Sequence, residues 1–262
     1  MKLLNKFRNF IDYLQFFASA RDVLKFSALR RPGNTSEEEV HLGVRHPRGA
    51  VLICRPNTSD ANVLWDVFWE EYHLPNGDIG TAPVIFDLGA NVGFTCFDFA
   101  RRYPDARVVG VEMDQDNMGL AVRNTAVFGD RCTVFHAAVW KEDTEVSYSK
   151  SDSEWGYHAS DIPANPDDTV AIVRAVTIDT LMRETGVSWV DFMKMDIEGA
   201  EQEVLYPQAP WLQNVGVLNL EVHHPATVEG CIALLSEAGF DCTKSTQHTS
   251  ALLAVKRPLG AS

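Results

Sequence analysis

From Val84 onward the chain alternates between two kinds of segment. Apolar runs at 84–87, 107–112, 132–139, 189–196 and 215–222 are separated by stretches of helical periodicity near 92–102, 115–127, 177–185, 199–206 and 226–238. Such alternation folds as a parallel sheet with helices on both faces, because each crossover helix buries its apolar stripe against the strands. The expected fold class is therefore α/β, a Rossmann-like doubly wound sheet. The end of the chain departs from the rule. There "FDCTKST" and "SALLAVKR" follow one another through a short polar turn, as antiparallel strands do, which predicts about seven strands, mostly parallel with an antiparallel C-terminal strand.

The segment ahead of this pattern has a different character. Leu3, Phe7, Phe10, Leu14 and Phe17 recur at helical spacing, and residues 1–31 carry a charge of +5 within a chain whose net charge is −13. This basic amphipathic helix is expected to dock onto the body or onto a second subunit, so a homo-oligomer through the N-terminal helix is one outcome; a membrane-surface role is the less favoured reading. Its apolar run is broken by Asn5, Lys6, Arg8, Asn9, Asp12 and Gln15, unlike a signal peptide or a membrane span, so no stable membrane insertion is expected. A polar joint, "RRPGNTSEEE", follows at 30–39, then two short strands within 40–55 turned at "HPRG", then a helix in "TSDANVLWDVFWEEYHL". The predicted division is an N-terminal helical and β-hairpin extension at 1–80 and a main domain at 81–262.

Composition excludes several functions. The acidic balance argues against nucleic acid as a partner, since phosphate binding requires clustered Lys and Arg. Five widely spaced cysteines with no CxxC suggest neither a disulfide framework nor a zinc site and fit a reducing cytoplasm.

The main chemical signal is "VIFDLGANVG" at 84–93. An apolar strand ends in Asp87 and runs into a turn containing Gly89, Ala90, Asn91 and Gly93, at the sheet edge where ligands of open parallel sheets collect. Glycines let backbone approach a ligand closely, and the following helix start offers unpaired N–H groups to an anion. The spacing is neither the GxGxxG of a dinucleotide fold nor a GK[ST] nucleotide loop. The second strand ends in Glu112, nineteen residues beyond Gly93, where a carboxylate can accept from two ribose hydroxyls. An adenosine-like ligand without a long phosphate chain is implied.

An acid ending each of the first two strands, with a Gly-rich turn between, resembles the site of class I methyltransferases that use S-adenosyl-L-methionine. That resemblance assigns the amino-acid moiety to the loop around Gly89–Gly93, the ribose to Glu112 and the adenine to Met113. Downstream, "TIDTLM" and "VDFMKMDIEGAEQEVL" are similar to the FkbM family, matching its pattern at Asp179, Asp191, Phe192, Lys194, Asp196, Glu198, Gly199 and Glu201. The likeness spans roughly 50–255, and this chain has Met113 where the family often has Pro. It implies methylation of a hydroxyl on a small molecule such as a sugar, polyketide or other secondary metabolite. N-methylation, a peptide or polysaccharide acceptor, and an inactive cofactor-fold scaffold remain the alternatives.

For the chemistry, Asp196 closes the fourth strand beside the first and serves both cofactor and acceptor, while Glu221 and His223, two residues apart, share one face at the end of the fifth. These three are the expected catalytic groups. Direct loss of the hydroxyl proton to Asp196 or His223 is preferred to a Mg²⁺ held by Asp196 and Glu221, because the acids are too few for a dedicated cage. Glu198 and, in a long insertion, Trp155, Tyr157 and His158 are candidate acceptor contacts. Glu201 is read as an acid in a helix's first turn, and Lys194 as a partner for Asp196.

Overall fold

The computed structural model describes residues 12–31, 37–149, 159–160, 170–206, 209–245 and 250–257. A helical turn at 12–16 is followed by α1 (Ala20–Leu29), whose N-cap Ser19 accepts from the Asp22 N–H. Strands β1 (Val40–Gly43) and β2 (Val51–Cys54) pair antiparallel, as the "HPRG" turn predicts. Helix α2 (Asp60–Trp65) widens into a π-helical turn at Asp66–Glu70 and stops at Glu71, which adopts a left-handed conformation with φ 52°. The main alternation then runs β3 (Val84–Leu88), α3 (Phe94–Arg102), β4 (Arg107–Glu112), α4 (Gln115–Thr125) and β5 (Cys132–His136).

The expected single strand at 132–139 is two, because β6 (Ala138–Val139) leaves the main sheet for a second one. There β6 joins β9 (Val170–Val176), which pairs with β7 (Thr144–Ser149), which pairs in turn with β8 (Ala159–Ser160). This sheet carries its own buried cluster around Trp140, Val146, Tyr148 and Val173, and it replaces part of what the sequence reads as loop. Trp155, Tyr157 and His158 lie outside the described residues. The chain returns through α5 (Ile178–Thr185), β10 (Val190–Met195), α6 (Glu201–Val204), β11 (Val215–Glu221), α7 (Val228–Glu237), β12 (Phe240–Lys244) and β13 (Ala251–Lys256).

The main sheet has seven strands in the order β12-β13-β11-β10-β3-β4-β5. β3, β4, β5, β10 and β11 are parallel, and β13 enters antiparallel between β11 and the edge strand β12. The expected doubly wound α/β fold is the one observed. After β3 the chain builds toward β5 and later restarts at β10 on the other side, so strand order reverses between β3 and β10. Register there sets Asp87 opposite Lys194 and Leu88 opposite Met195.

The basic arm packs onto the body through the part of it that is described. Phe17, Val23 and Phe26 are fully buried in the same cluster as Phe94, Phe97 and Phe99 of α3. Phe26 stacks on Trp69 at 5.8 Å, Trp69 stacks on Trp65 at 5.1 Å, and the Arg30 guanidinium lies 4.6 Å over Trp65. Apolar aromatic area and ring geometry thus tie α1 to the π-helical turn. A second helix at 20–29 is missed by the sequence reading because the polar residues between Val23, Phe26 and Leu29 blur its stripe. Phe26→Ala removes a fully buried ring from this cluster and should lower stability by about 3–5 kcal/mol, read as a shift in the urea midpoint at unchanged slope.

Candidate functional site

A cavity of about 420 Å³ opens at the carboxyl ends of β3, β4 and β10, where strand order reverses. One wall is the turn after β3. Gly89 sits at φ +84°, and a Cβ placed there would lie 1.8 Å from the Asp196 carbonyl oxygen, so only glycine lets the turn pass this close to β10. Gly93 at φ +81° likewise lets α3 start against Ala121 of α4. Four N–H groups of the turn have protein partners. Those of Gly89 and Ala90 donate to Val111 O, that of Gly93 to Ala90 O, and that of Asn91 to the Glu112 carboxylate. Parallel register with β4 brings Val111 and Glu112 within reach, so the turn acts as a shaped wall that locks Glu112 in place.

Glu112 is 6 % exposed, and each of its oxygens accepts one backbone N–H, Asn91 to Oε2 and Asp114 to Oε1, both at 2.8 Å. Burial pushes its pKa up to about 7 against the pull of those two hydrogen bonds, with Asp114 and Asp87 adding repulsion. Met113, Ala90 and Asn91 line the same cavity, joined by Thr95, Asn117 and Ala138. Asp87 lies beneath it, fully buried. Its Oδ2 accepts from the Thr95 hydroxyl and, at 3.2 Å, from Cys96 Sγ, and its Oδ1 is 3.6 Å from Lys194 Nζ.

The opposite wall is polar. Lys194 reaches Asp196 Oδ2 at 3.2 Å, the ion pair expected from their shared strand face. Burial would lower the Lys194 pKa, but Asp196 and Asp87 together hold it well above its ordinary value. Glu198, with φ 54°, and Gly199 form a tight turn that returns the chain over the cavity. Glu201 then does more than start α6. Its fully buried carboxylate accepts from the N–H groups of Ile197 and Gly199 and from His223 Nδ1 at 2.9 Å. With Nδ1 engaged, His223 Nε2 faces Glu198 Oε2 at 3.5 Å and Asp196 Oδ1 at 3.9 Å.

The Glu201 hydrogen bond is the main cause that raises the His223 pKa to about 9, reinforced by Glu198 and Asp196 against partial burial. Burial, with Asp196 next, raises Glu198 to about 7. Glu221 lines the same cavity as His223, while His224 is exposed in the turn that follows the strand. The groups spaced to hold a cation among the described residues are Asp196, Glu198 and His223, whose ligand atoms all lie within 4.8 Å of one another. That set differs from the Asp196 and Glu221 pair named for the less favoured Mg²⁺ route, because the turn at Glu198 and Gly199 brings Glu198 inward.

Val63 and Asp66, which the sequence does not single out, close the cavity from the α2 side together with Tyr72 of the "EEYHLP" stretch, a candidate cover for the crevice in the sequence. Their segment reads as one amphipathic helix, whereas the structure divides it into α2 with Val63, a π-helical turn that begins at Asp66, and a left-handed Glu71 just before Tyr72. Glu201 lies within "VDFMKMDIEGAEQEVL", but a helix-start acid has no sequence mark that separates it from a histidine partner.

A doubly wound sheet with a cavity at its switch point, one wall a Gly-rich turn and strand-end carboxylate and the other an acid and histidine cluster, defines a Rossmann-like methyltransferase. A family model described as the methyltransferase FkbM domain matches residues 87–242, and the chain belongs to that family. No curated protein is a significant match to it. Among solved structures it is similar to precorrin-6y C5,15-methyltransferase from Geobacter metallireducens, with 13 % identity over 67 % of this chain and 81 % of that one and a TM-score of 0.41. It is also similar to the Methanococcus jannaschii fibrillarin pre-rRNA processing protein, with 12 % identity over 87 % and 86 % and a TM-score of 0.43. A third is the N-terminal domain of human METTL16 in complex with SAH, with 12 % identity over 75 % and 68 % and a TM-score of 0.42. No helix among the described residues is long and apolar enough to cross a membrane.

Glu201→Gln removes the charged acceptor behind His223, so the His223 pKa should fall from about 9 toward the ordinary histidine value near ~6.5. Titration of the imidazole carbon protons by NMR would show it, and an unmoved midpoint would discount the pairing.

Proposed function

We propose that this chain is an S-adenosyl-L-methionine-dependent O-methyltransferase acting on a hydroxyl of a small molecule. The observation that carries the reading is Glu112, whose two oxygens are fixed by backbone N–H groups at the cavity edge with lone pairs left for vicinal hydroxyls. Those residues fit a nucleoside: Glu112 for the ribose, the Gly89–Gly93 wall for the amino-acid end, and Met113 with Ala138 as apolar surface for the adenine. A cavity of about 420 Å³ falls in the usual range of small-molecule sites. When bound, S-adenosylmethionine supplies an electrophilic methyl whose carbon–sulfur bond breaks as the oxygen–carbon bond forms, leaving a neutral thioether.

The chain's own residues align the acceptor and take its proton. Asp196, Glu221 and His223 form the polar wall; because a pKa of about 9 keeps His223 a cation near neutral pH, the hydroxyl proton passes to the carboxylates of Asp196 and Glu198 and not to the imidazole expected from the sequence. Glu201 is a positioning residue, since it holds His223 by Nδ1 and leaves Nε2 toward the cavity. Lys194 keeps Asp196 in place from behind. The same carboxylates favour the donor's positive charge over a neutral ligand. Transfer to these carboxylates is preferred to a Mg²⁺-assisted route, and the cytoplasm remains the proposed location. The division into an extension at 1–80 and a methyltransferase domain at 81–262 is retained as a working description of the chain.

Two outcomes test this reading. Ribose hydroxyls donate to the ionised form of Glu112, whose pKa near 7 must fall on binding, so affinity for S-adenosylhomocysteine should decline as pH drops below about 7 and level off above it. In calorimetry Glu112→Gln should flatten that profile, and Glu112→Ala should cost about 1.5–3 kcal/mol; unchanged affinity in both variants would remove the nucleoside assignment. Asp196→Asn should cut turnover at least about a hundredfold while cofactor affinity stays within a factor of a few. Activity abolished by a chelator and restored by Mg²⁺ would move the proton step to a metal, and full activity in both Asp196→Asn and His223→Gln would sink the site.

A further inference from the structure

A second space of about 530 Å³ lies beside the first, and Tyr72, Lys194, Asp196 and Glu221 line both. Its floor is the face of the main sheet opposite α7. The α7 side of β11 and β13 is ordinary core, with Leu218, Leu220, Leu252 and Ala254 buried together with Cys231 and Leu235. The other face is not. Register aligns Lys194 with Asn219, Asn219 with Leu253 and Leu253 with Thr243, and one rung further on Glu221 lies opposite Ala251. Along these rungs an ammonium, an amide, a carboxylate and a hydroxyl stand where a covered sheet carries apolar side chains, and Thr243 is exposed. The wall is the chain from Glu70 to Asn76, held to the floor by the Asn219 amide donating to Tyr72 O at 3.1 Å.

Resting on the methyltransferase reading, we propose that this groove holds the body of the acceptor and that the acceptor is a polyhydroxylated ring of the saccharide type. The shared residues place one end of any groove occupant at Asp196 and Glu221, the wall that faces the donor cavity. The floor suits a sugar ring. Carboxylates and amides accept from and donate to neighbouring hydroxyls, while Ala251 and Leu253 offer a flat aliphatic surface to its C–H face. A phenol or a largely apolar macrolactone would cover Asp196, Glu221 and Thr243 with few hydrogen-bonding groups to offer them.

The test uses the full chain saturated with S-adenosylhomocysteine, probed by saturation-transfer NMR with neutral methyl hexosides, a simple phenol and a macrolactone. Transfer to the hexosides above the other two is expected. Thr243→Trp, which places an indole over Leu253 from an exposed strand position, should reduce that signal at least tenfold with S-adenosylhomocysteine affinity within twofold of the parent. If Thr243→Trp lowers the melting temperature, Ala251→Leu on the neighbouring strand is read in its place. Signal from the apolar probes alone, no hexoside signal, or hexoside signal indifferent to the filling substitution would overturn the assignment. So would a parent dimer that the substitution dissociates in sedimentation, since the face would then belong to a second copy. Calorimetry without glycoside separates the two levels: failure of the parent to bind S-adenosylhomocysteine removes the donor reading and this inference with it, whereas donor binding without glycoside binding removes this inference alone.

Discussion

The close passage of Gly89 over the Asp196 carbonyl is the contact on which the site depends. Leu88 O accepts the Asp196 N–H at 2.9 Å, which extends the β3 and β10 pairing by one more bond. The next residue on β3 must then turn away with no side chain, because a Cβ would coincide with the Asp196 carbonyl. From this crossing two walls diverge. The β3 side leads into the turn that fixes Glu112, and the β10 side leads into the turn at Glu198 and Gly199 that folds Glu201 under His223. The cavity is the gap between them, and its placement follows from where the strand order reverses.

Charge within the site is organised around two cations set among acids. Lys194 is buried between Asp87 and Asp196, and His223 is ringed by Glu201, Glu198 and Asp196. Each cation offsets acids that would otherwise repel at such separations in a partly desolvated space. Two carboxylates facing the cavity, Glu112 and Glu198, have pKa values raised to about 7, and burial is the leading cause at each. Electrostatic tension is thus concentrated where an incoming ligand supplies hydroxyl donors or positive charge, and relaxed where Lys194 and Glu201 form the structural backing.

The aromatic cluster gives the N-terminal segment a part in the same architecture. Trp65 and Trp69 stack on one another and Phe26 stacks on Trp69, while Val63, Asp66 and Tyr72 from the same stretch line the donor cavity. Ring packing against α1 therefore holds the π-helical turn whose other side closes the site. A buried salt-bridge group of Asp98 with His73, Arg101 and Arg102 anchors the end of that stretch to α3.

The sequence by itself determined the sheet, its order of winding and its first wall. Strand and helix alternation, the antiparallel end, the turn at Gly89–Gly93 and Glu112 in register all depend on local periodicity and on residue types that only certain backbone conformations accept. It also brought Asp196, Glu221 and His223 to neighbouring strand ends, since alternation along a strand and adjacency of strands follow from the same pattern. Tertiary structure alone decided the rest. The N–H groups of the turn are engaged within the protein because β4 lies alongside at the right register. Glu201 belongs to His223 because a left-handed turn at Glu198 and Gly199 aims it there, and Asp66 and Tyr72 line the cavity from either end of a π-helical turn and the left-handed Glu71 that closes it. These are long-range placements set by how separately formed elements pack, and no spacing within a single segment encodes them.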